Sequence, residues 1–407
     1  MTRRFQFAVV ASSTCLVLLL LFGAVRGRGA AADSNNVYSH LGVYSEVLSR
    51  IKADYVEEPD MKAVTIGAIN GMLESLDPYA SYLNTDQYKQ YQKGKDQTRA
   101  GVGVVLSRRF GYLSVVDALP GSPASKAGIS TGDVIESINN VSTRDMPLAL
   151  SQMMLEGENG TTIEVSVLRV RKSEPQKLTL IRTNLVYAPV SGKMVNEPGK
   201  DPIGLIATYS LAPGRVKDIA AKVDELEKQG AKRLILDLRH CATGAPEEGI
   251  ALANLFLDKG LITYSQGQKM SRQDYQAVAT KAITKLPLAV VVNRGTAGAA
   301  EITAAALLNR RADVVGEHTY GGDTGIRKAI TMDDGGAVLL AVAKYYTPEG
   351  KAIQDTGVTP NITQVESEPT ADLDDDSDAA ASPSPDKMKP LPPDIILKQA
   401  IETVIKK

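Results

Sequence analysis

Two apolar segments in the second half of the chain constrain its fold most strongly. Residues 234–238 and 288–292 are almost entirely apolar, as strands buried on both faces are, and only Asp237 interrupts them. Amphipathic helices are predicted before, between and after these strands, at residues 216–228, 246–257 and 301–308. Strands that alternate with helices at this spacing predict an α/β core with a mainly parallel sheet.

Catalytic or binding residues of such a sheet lie where its strands end. In parallel α/β sheets the ligand sits at the carboxyl ends of the strands, in the loops that lead to the helices. Two loops meet this condition, residues 239–244 and residues 293–300. We therefore expect the chemistry of the core, if it has any, in these loops.

Charge and composition exclude several classes of protein. The 46 basic and 47 acidic residues leave no positive excess for binding nucleic acid. Two cysteines cannot form a disulfide scaffold or a cysteine-rich zinc site, and the three histidines lack the spacing of a zinc motif. We therefore expect no nucleic acid, no metal ion and no cofactor.

Residues 1–32 have the pattern of an export sequence. Two arginines precede an apolar run over residues 5–25, and three alanines follow at 30–32, which is typical of a cleaved secretory signal. The run is also long enough to cross a bilayer, and Arg26 and Arg28 after it fit a retained inner-membrane anchor. Both interpretations place the rest of the chain in the periplasm or another extracytoplasmic space, either soluble or anchored.

The rest of the chain divides into blocks that differ in periodicity. Residues 33–96 have helical spacing, whereas the next block has short strand patterns separated by turns and predicts a small β domain with two short helices. The predicted blocks are a helical segment at 33–96, a β domain at 97–183, the α/β core at 184–362, an acidic Ser/Pro-rich linker at 363–393 and a C-terminal helix at 394–407.

The β domain carries a specific motif at residues 121–135. The motif reads Gly-Ser-Pro-Ala-x-x-Ala-Gly-Ile-x-x-Gly-Asp-Val-Ile and resembles the PDZ domain, and the segment Gly101, Val102, Gly103 and Val104 is similar to the carboxylate-binding loop of that family. The resemblance implies that backbone N–H groups of this loop hold the C-terminus of a protein or peptide, which adds as a strand to the sheet edge. The glycines alone would also fit an ordinary hairpin, so the interpretation depends on the whole string.

Most of the chain, residues 40–362, resembles the carboxyl-terminal processing peptidases, also called tail-specific proteases. The motifs that carry this resemblance are residues 76–83, 236–239, 293–297, 311–317 and 345–360. The resemblance implies an α/β core of the ClpP/crotonase-like type with an inserted PDZ domain. It also implies a serine nucleophile with a lysine as general base, a role that lysine can fill when burial lowers its pKa.

Glycine stands at both positions that the family motifs assign to this catalytic pair. The family's Asn-x-Gly-Ser/Thr-Ala-Ser-Ala-Ser-Glu is matched by residues 293–301, with Gly298 at the nucleophile. Its Thr-Phe/Tyr-Gly-Lys-Gly is matched by residues 319–323, with Gly322 at the base, although a slip of one residue would place Asp323 there. We expect the two glycines to lie close together at one cleft.

Two further parts of the expected machinery also differ. The family's Asp-Leu-Arg-x-Asn-x-Gly-Gly loop is matched by residues 237–244, with Thr243 in place of the first glycine, whose N–H faces the developing oxyanion. Threonine keeps the N–H but cannot adopt every conformation that glycine can. The glutamine that supports the family's lysine corresponds to Ile326, or to Arg327 after the same slip.

Other residues are weak candidates for a replacement nucleophile. Thr296 lies two positions before Gly298, and Cys241 follows His240 in the oxyanion loop. A lone cysteine is usually a small buried residue, and neighbours on an extended chain point to opposite faces, so His240 would not readily activate Cys241. His318 is interpreted as a solvated surface residue.

These observations support two hypotheses of different class. The first is an exported, non-catalytic member of the family that binds protein C-termini through its PDZ domain and presents clients or pairs with an active paralogue. The second is an active serine-type endopeptidase with a displaced nucleophile. Glycine has neither a hydroxyl nor an amine, so the sequence favours the first hypothesis.

Overall fold

The computed structural model describes residues 40–95, 99–144, 146–169, 172–366 and 393–407. The chain divides into two compact units, residues 1–68 and residues 69–407. The predicted signal or anchor at 1–32 and most of the predicted linker at 363–393 lie outside the described residues. Within the described part, no helix is long and apolar enough to cross a membrane.

The N-terminal segment is helical apart from one short strand. Its elements are helix α1 over residues 40–54, α2 Met61–Glu74, strand β1 Ser81–Leu83 and α3 Thr85–Lys95. The prediction of helices alone missed β1. This strand forms because Ser81 pairs with Leu339, far along the chain, and no local periodicity records such a partner.

The described part of the β domain contains six strands and two short helices. Its elements are β2 Val104–Arg109, β3 Tyr112–Ala118, α4 Pro123–Lys126, β4 Val134–Ile138, β5 Val141–Ser142, α5 Leu148–Leu155, β6 Thr162–Leu168 and β7 Gln176–Ile181. The sheet order is β2-β3-β4-β6-β7, with β5 paired to β4, so β2 is an edge strand. Ser122 caps α4 by accepting from the N–H of Ser125 at 3.1 Å, as the motif predicts.

The following region alternates strands and helices. Its elements are β8 Ser191–Val195, β9 Ile203–Ala207, α6 Arg215–Lys228, β10 Arg233–Asp237, α7 Pro246–Phe256, β11 Leu261–Gln266, β12 Gln273–Gln276, the 3₁₀ turn Ala279–Lys281, β13 Leu288–Val292, α8 Ala299–Leu307, β14 Ala312–Gly316, β15 Gly325–Thr331, β16 Ala337–Tyr346 and β17 Ile362–Thr363. The predicted C-terminal helix is α9, Ile395–Ile405.

These strands form two sheets. In the sheet of order β17-β14-β13-β10-β9-β8, the described pairings are parallel except that between β8 and β9. In the other sheet, β1-β16-β11-β12 with β15 on β16, the described pairings are antiparallel. The expectation of a mainly parallel sheet therefore describes the first sheet, and the antiparallel second sheet was not predicted.

The parallel sheet is buried on both faces, which explains its apolar strands. Leu236 and Val290 face a core that contains residues of α6, α7 and α8. Ile235 and Val291, each adjacent in its strand to one of these residues, face the opposite side, where Ile396 and other residues of α9 cover the sheet. Adjacent strands β10 and β13 thus end at the same edge, and their loops lie side by side.

Candidate functional site

The loop after β13 places Gly298 at the start of α8. Its backbone has φ 61° and ψ −119°, a conformation that residues with a side chain rarely adopt. A Cβ built there would make a tight contact with the carbonyl oxygen of Asp323, at 3.3 Å.

Gly322 lies directly against this turn. A Cβ on Gly322 would be 2.7 Å from the Cβ of Ala297 and 2.9 Å from the backbone nitrogen of Gly298, so a side chain has no room there. The expected proximity of the two glycines is therefore confirmed. Their correspondence to the nucleophile and base positions of the family remains a prediction.

The two glycines line a cavity of about 270 Å³. Its walls come from the β domain, from the loops after β10, β13 and β14, and from the segment before β1. The lining residues are Tyr79, Val105, Leu106, Val116, Gln152, Ala242, Gly244, Pro246, Ala297, Gly298, Gly322, Asp323 and Gly325. The cavity thus joins the edge strand β2 to the carboxyl edge of the parallel sheet.

A buried carboxylate, that of Glu301, holds the glycine pair in place. One oxygen accepts from the N–H groups of Gly298 and Gly322, both at 2.8 Å. The other accepts from the N–H of Gly321 at 2.7 Å and from the hydroxyl of Thr319. Burial raises the pKa of Glu301, while these four hydrogen bonds oppose the shift. Since all four partners donate, the ionised carboxylate is the form that fits the site.

The loop after β10 places Thr243 between Ala242 and Gly244, which line the cavity. Among the described residues none accepts from the N–H of Thr243, while the carbonyl of Thr243 accepts from Leu211 at 2.8 Å. Thr243 does not adopt a positive φ, so threonine is accommodated without strain. Its hydroxyl oxygen is buried with no described partner. Gly244 next to it has φ 135° and could not carry a Cβ, which would lie 2.5 Å from the oxygen of Leu211.

The candidate replacement nucleophiles lie in the core. Cys241 is fully buried, and burial raises the pKa of its thiol, so the reactive thiolate is disfavoured. The hydroxyl of Thr296 is also fully buried; it donates to the carbonyl of Leu238 at 2.9 Å and accepts from the N–H of Asn293 at 3.0 Å. Neither side chain is among those that line the cavity.

The carboxylate-binding loop predicted in the β domain has two free donors. Among the described residues, no acceptor receives the N–H groups of Val102 and Gly103. The carbonyls of these residues are held by Ala124 at 2.9 Å and Leu119 at 2.8 Å. Gly103 has φ 79°, and a Cβ there would be 2.3 Å from the Cβ of Ser122. The loop can therefore offer N–H groups to an anion at the start of the edge strand.

Comparison with known proteins assigns these parts to families. The description "Peptidase family S41" matches residues 202–364, "PDZ domain" matches residues 114–169, and "Activating protease CtpB N-terminal domain" matches residues 26–87. The carboxy-terminal processing protease CtpA of Bacillus subtilis (strain 168) is 33% identical over 361 residues, which cover 87% of this chain and 74% of the relative. The chain belongs to the carboxyl-terminal processing protease family.

Other members of the family agree with this assignment. The carboxyl-terminal-processing protease of Synechocystis sp. is 32% identical over 316 residues, which cover 76% of this chain and 74% of that protein. Among solved structures, a photosystem II D1 C-terminal processing protease is 28% identical, with a TM-score of 0.66 over 78% of this chain and 85% of that chain. The similarity therefore extends over the PDZ domain and the core together.

The family motifs did not predict one contact between the PDZ domain and the core. His240 lies 3.0 Å through Nδ1 from Asp117 on β3, and its Nε2 is 2.9 Å from the side-chain amide of Asn293. Burial lowers the pKa of His240, but the hydrogen bond and the charge of Asp117 outweigh it, so the pKa is raised. Asp237, three residues before His240, binds Arg239. No sequence signal marks Asp117 as the partner.

An ionic cluster that includes the cavity residue Asp323 was also not predicted. The guanidinium of Arg327 contacts the carboxylate of Asp323 and lies 3.3 Å from that of Asp77. Gln354 donates to Asp77 at 2.9 Å, which leaves its own carbonyl oxygen buried without a partner among the described residues. Arg327 also lies over the ring of Tyr79, 4.9 Å from its centroid. The segment at 77–79 and the loop after β14 are thereby fixed to each other.

Proposed function

We propose that this protein is an exported, non-catalytic carboxyl-terminal processing protease that binds protein C-termini through its PDZ domain without cleaving them. The observation that carries the proposal is the glycine pair: Gly298 and Gly322 meet at the cavity, and neither offers a hydroxyl or an amine. A serine-type mechanism needs both groups within hydrogen-bond reach. The described residues of the cavity wall include no serine, threonine, cysteine, histidine or lysine.

The binding half of the proposal is supported by the free N–H groups of Val102 and Gly103. They lie at the start of the edge strand β2, where a peptide C-terminus would add as a further strand. Val104 and Val105 of β2 are hydrophobic and partly exposed, which favours an apolar peptide end. Clients are then held with their last residues along β2, next to the glycine pair.

A combined cleavage and binding experiment tests the proposal. Purified protein is incubated with an unstructured substrate that ends in apolar residues, with the Bacillus subtilis relative as the active control. We expect no cleavage above background. The same peptide should bind, and amidation of its C-terminus should weaken binding at least tenfold, about 1.4 kcal/mol, because it removes the charge that the loop receives.

Two glycine variants provide the matched control for the loop. Gly103→Ala places a Cβ 2.3 Å from Ser122, whereas Gly160→Ala has a similar φ of 84° but no neighbour within 4 Å. We expect peptide binding to be lost in the first and kept in the second. Equal affinity for acid and amide peptides would remove the binding half of the proposal.

The alternative function is a working serine-type endopeptidase with a displaced nucleophile. Its strongest candidate is Cys241, whose burial argues against it. Turnover by the wild-type protein that disappears in Cys241→Ala would overturn the non-catalytic proposal and make this thiol the nucleophile.

Export is supported by residues 1–32 alone. Fractionation of a bacterial host that expresses the full chain should place it outside the cytoplasm, either released or attached to the inner membrane. Capture of an active paralogue in the same experiment would support a role as its partner. Recovery only in the cytoplasm would contradict the export proposal.

A further inference from the structure

The cavity beside the glycine pair is acidic. Of the described residues that line it, Asp323 alone has a charged side chain. That side chain is 46% exposed, so it can meet a ligand while lying at the mouth of the cavity. No lysine or arginine is among the described residues of the cavity wall, so the charge of the wall is negative.

The carboxylate of Asp323 has an oxygen available for binding. Its Oδ1 accepts from the N–H of Gly325 at 3.0 Å and contacts Arg327. Among the described residues, no donor reaches Oδ2. The carbonyl oxygen of the same residue lies beside Gly298, 3.3 Å from where a Cβ would be. Asp323 therefore presents two acceptors to whatever enters the cavity.

Arg327 does not cancel this negative charge. Its guanidinium is shared between the carboxylates of Asp323 and Asp77, so one positive charge faces two negative charges. Burial first, and then the charges of Asp323 and Glu301, raise the pKa of Tyr79 on the cavity wall, as expected where the local potential is negative.

The cavity also lies on the path of a peptide bound to the PDZ domain. Its wall includes Val105 and Leu106 of β2, two to three residues beyond the free N–H groups of Val102 and Gly103. A peptide whose C-terminus is held there must run antiparallel to β2. A strand advances by about 3.3 Å per residue. The third or fourth residue from the C-terminus of the peptide therefore lies beside Leu106, about 10 Å from the terminal carboxylate.

We propose that the cavity receives a lysine or arginine side chain of the client, three or four residues before its C-terminus, and that Asp323 is the residue that recognises it. The inference rests on the proposed binding of C-termini by the PDZ domain. Gly298 has no side chain to occupy the cavity beside Asp323, and the cationic group extends there. An ammonium or guanidinium group can donate hydrogen bonds to the free side-chain oxygen and the carbonyl oxygen of Asp323. Its positive charge also balances the excess of carboxylates.

The test measures binding to the full chain by fluorescence anisotropy. The peptides share a free apolar C-terminus and differ at the third and fourth positions from it, which carry lysine, glutamine, glutamate or acetyl-lysine. We expect lysine to bind about fivefold tighter than glutamine, about 1 kcal/mol, and glutamate to bind more weakly than glutamine. The preference should decrease as salt is raised. Acetyl-lysine keeps the length but not the charge and should behave like glutamine.

Asp323→Asn should abolish the lysine preference, and Asp355→Asn is the matched control. Asp355 has a similar exposure, 43%, and is paired with Lys344, but it is not on the wall of this cavity. If Asp323→Asn does not fold, the acetyl-lysine peptide tests the same charge on the unaltered protein.

The outcomes separate this inference from the function on which it rests. Equal binding of the lysine, glutamine and glutamate peptides, with amidation still harmful, would refute the cationic pocket and leave C-terminal binding intact. A preference that survives Asp323→Asn but is lost in Asp355→Asn would place recognition elsewhere and also refute the inference. No binding of any peptide would overturn both.

Discussion

Replacement of Glu301 by glutamine tests how the glycine pair is held. The amide can keep its oxygen toward the N–H groups of Gly298 and Gly322 and turn its NH₂ toward Thr319, whose hydroxyl can accept instead of donate. The N–H of Gly321 then faces another donor and stays unsatisfied. One buried unsatisfied donor costs about 1–3 kcal/mol, which is the expected loss for Glu301→Gln.

Alanine at the same position should be clearly worse. Glu301→Ala leaves all four donors without an acceptor and opens a cavity in a fully buried place, so we expect a loss of about 3–5 kcal/mol. Urea unfolding gives the total loss, and hydrogen exchange over residues 319–322 shows whether this loop opens first. Glu349→Gln, on the exposed surface, should stay within about 0.5 kcal/mol of the wild type.

We expect the free energy of unfolding to decrease from the wild type to Glu301→Gln and again to Glu301→Ala. A glutamine variant as stable as the wild type, with unchanged exchange in the loop, would show that Glu301 does not hold the loop through its charge. A glutamine variant less stable than the alanine variant would contradict the proposed rotation of the amide.

Three further outcomes follow from contacts in the core and between the domains. The thiol of Cys241 is buried, so a thiol reagent should label it only after unfolding; labelling at the rate of a free thiol would contradict this burial. Gly322→Ala should cost about 1–3 kcal/mol in urea unfolding because its Cβ meets Ala297, and a neutral result would mean that the loop can retreat. Because the folded pKa of His240 is raised, its pairing with Asp117 should stabilise fully below about pH 6.5 and be lost as the pH rises through the folded pKa. The difference in melting temperature between the wild type and Asp117→Asn should shrink over that range, whereas a constant difference would exclude titration of His240 as the cause.

Local patterns predicted much of the fold. Strands at 134–138, 162–168 and 288–292 and the helix Ile395–Ile405 agree with the sequence pattern because each element carries its own period and its own boundary residues. The proximity of Gly298 and Gly322 could also be predicted. Each lies in a motif of the family, and the two motifs supply the members of one catalytic pair, which must meet in the fold.

Long-range contacts could not be predicted. His240 and Asp117 are separated by 123 residues, and Gln354 and Asp77 by 277, so no spacing in the chain relates them. The antiparallel sheet around β16 depends on pairings of the same kind, including that of Ser81 with Leu339. Such partners are determined by the folded geometry of a whole domain, which one sequence does not display.

A lysine introduced at position 322 begins with a Cβ that has no room beside Ala297, and a serine at position 298 must adopt a backbone conformation that favours glycine. Each change alone therefore lowers stability before it can supply any chemistry, and one without the other supplies none. If the chain is non-catalytic as proposed, restoring a serine and a lysine at these positions therefore requires both changes together and further changes in the residues packed around them.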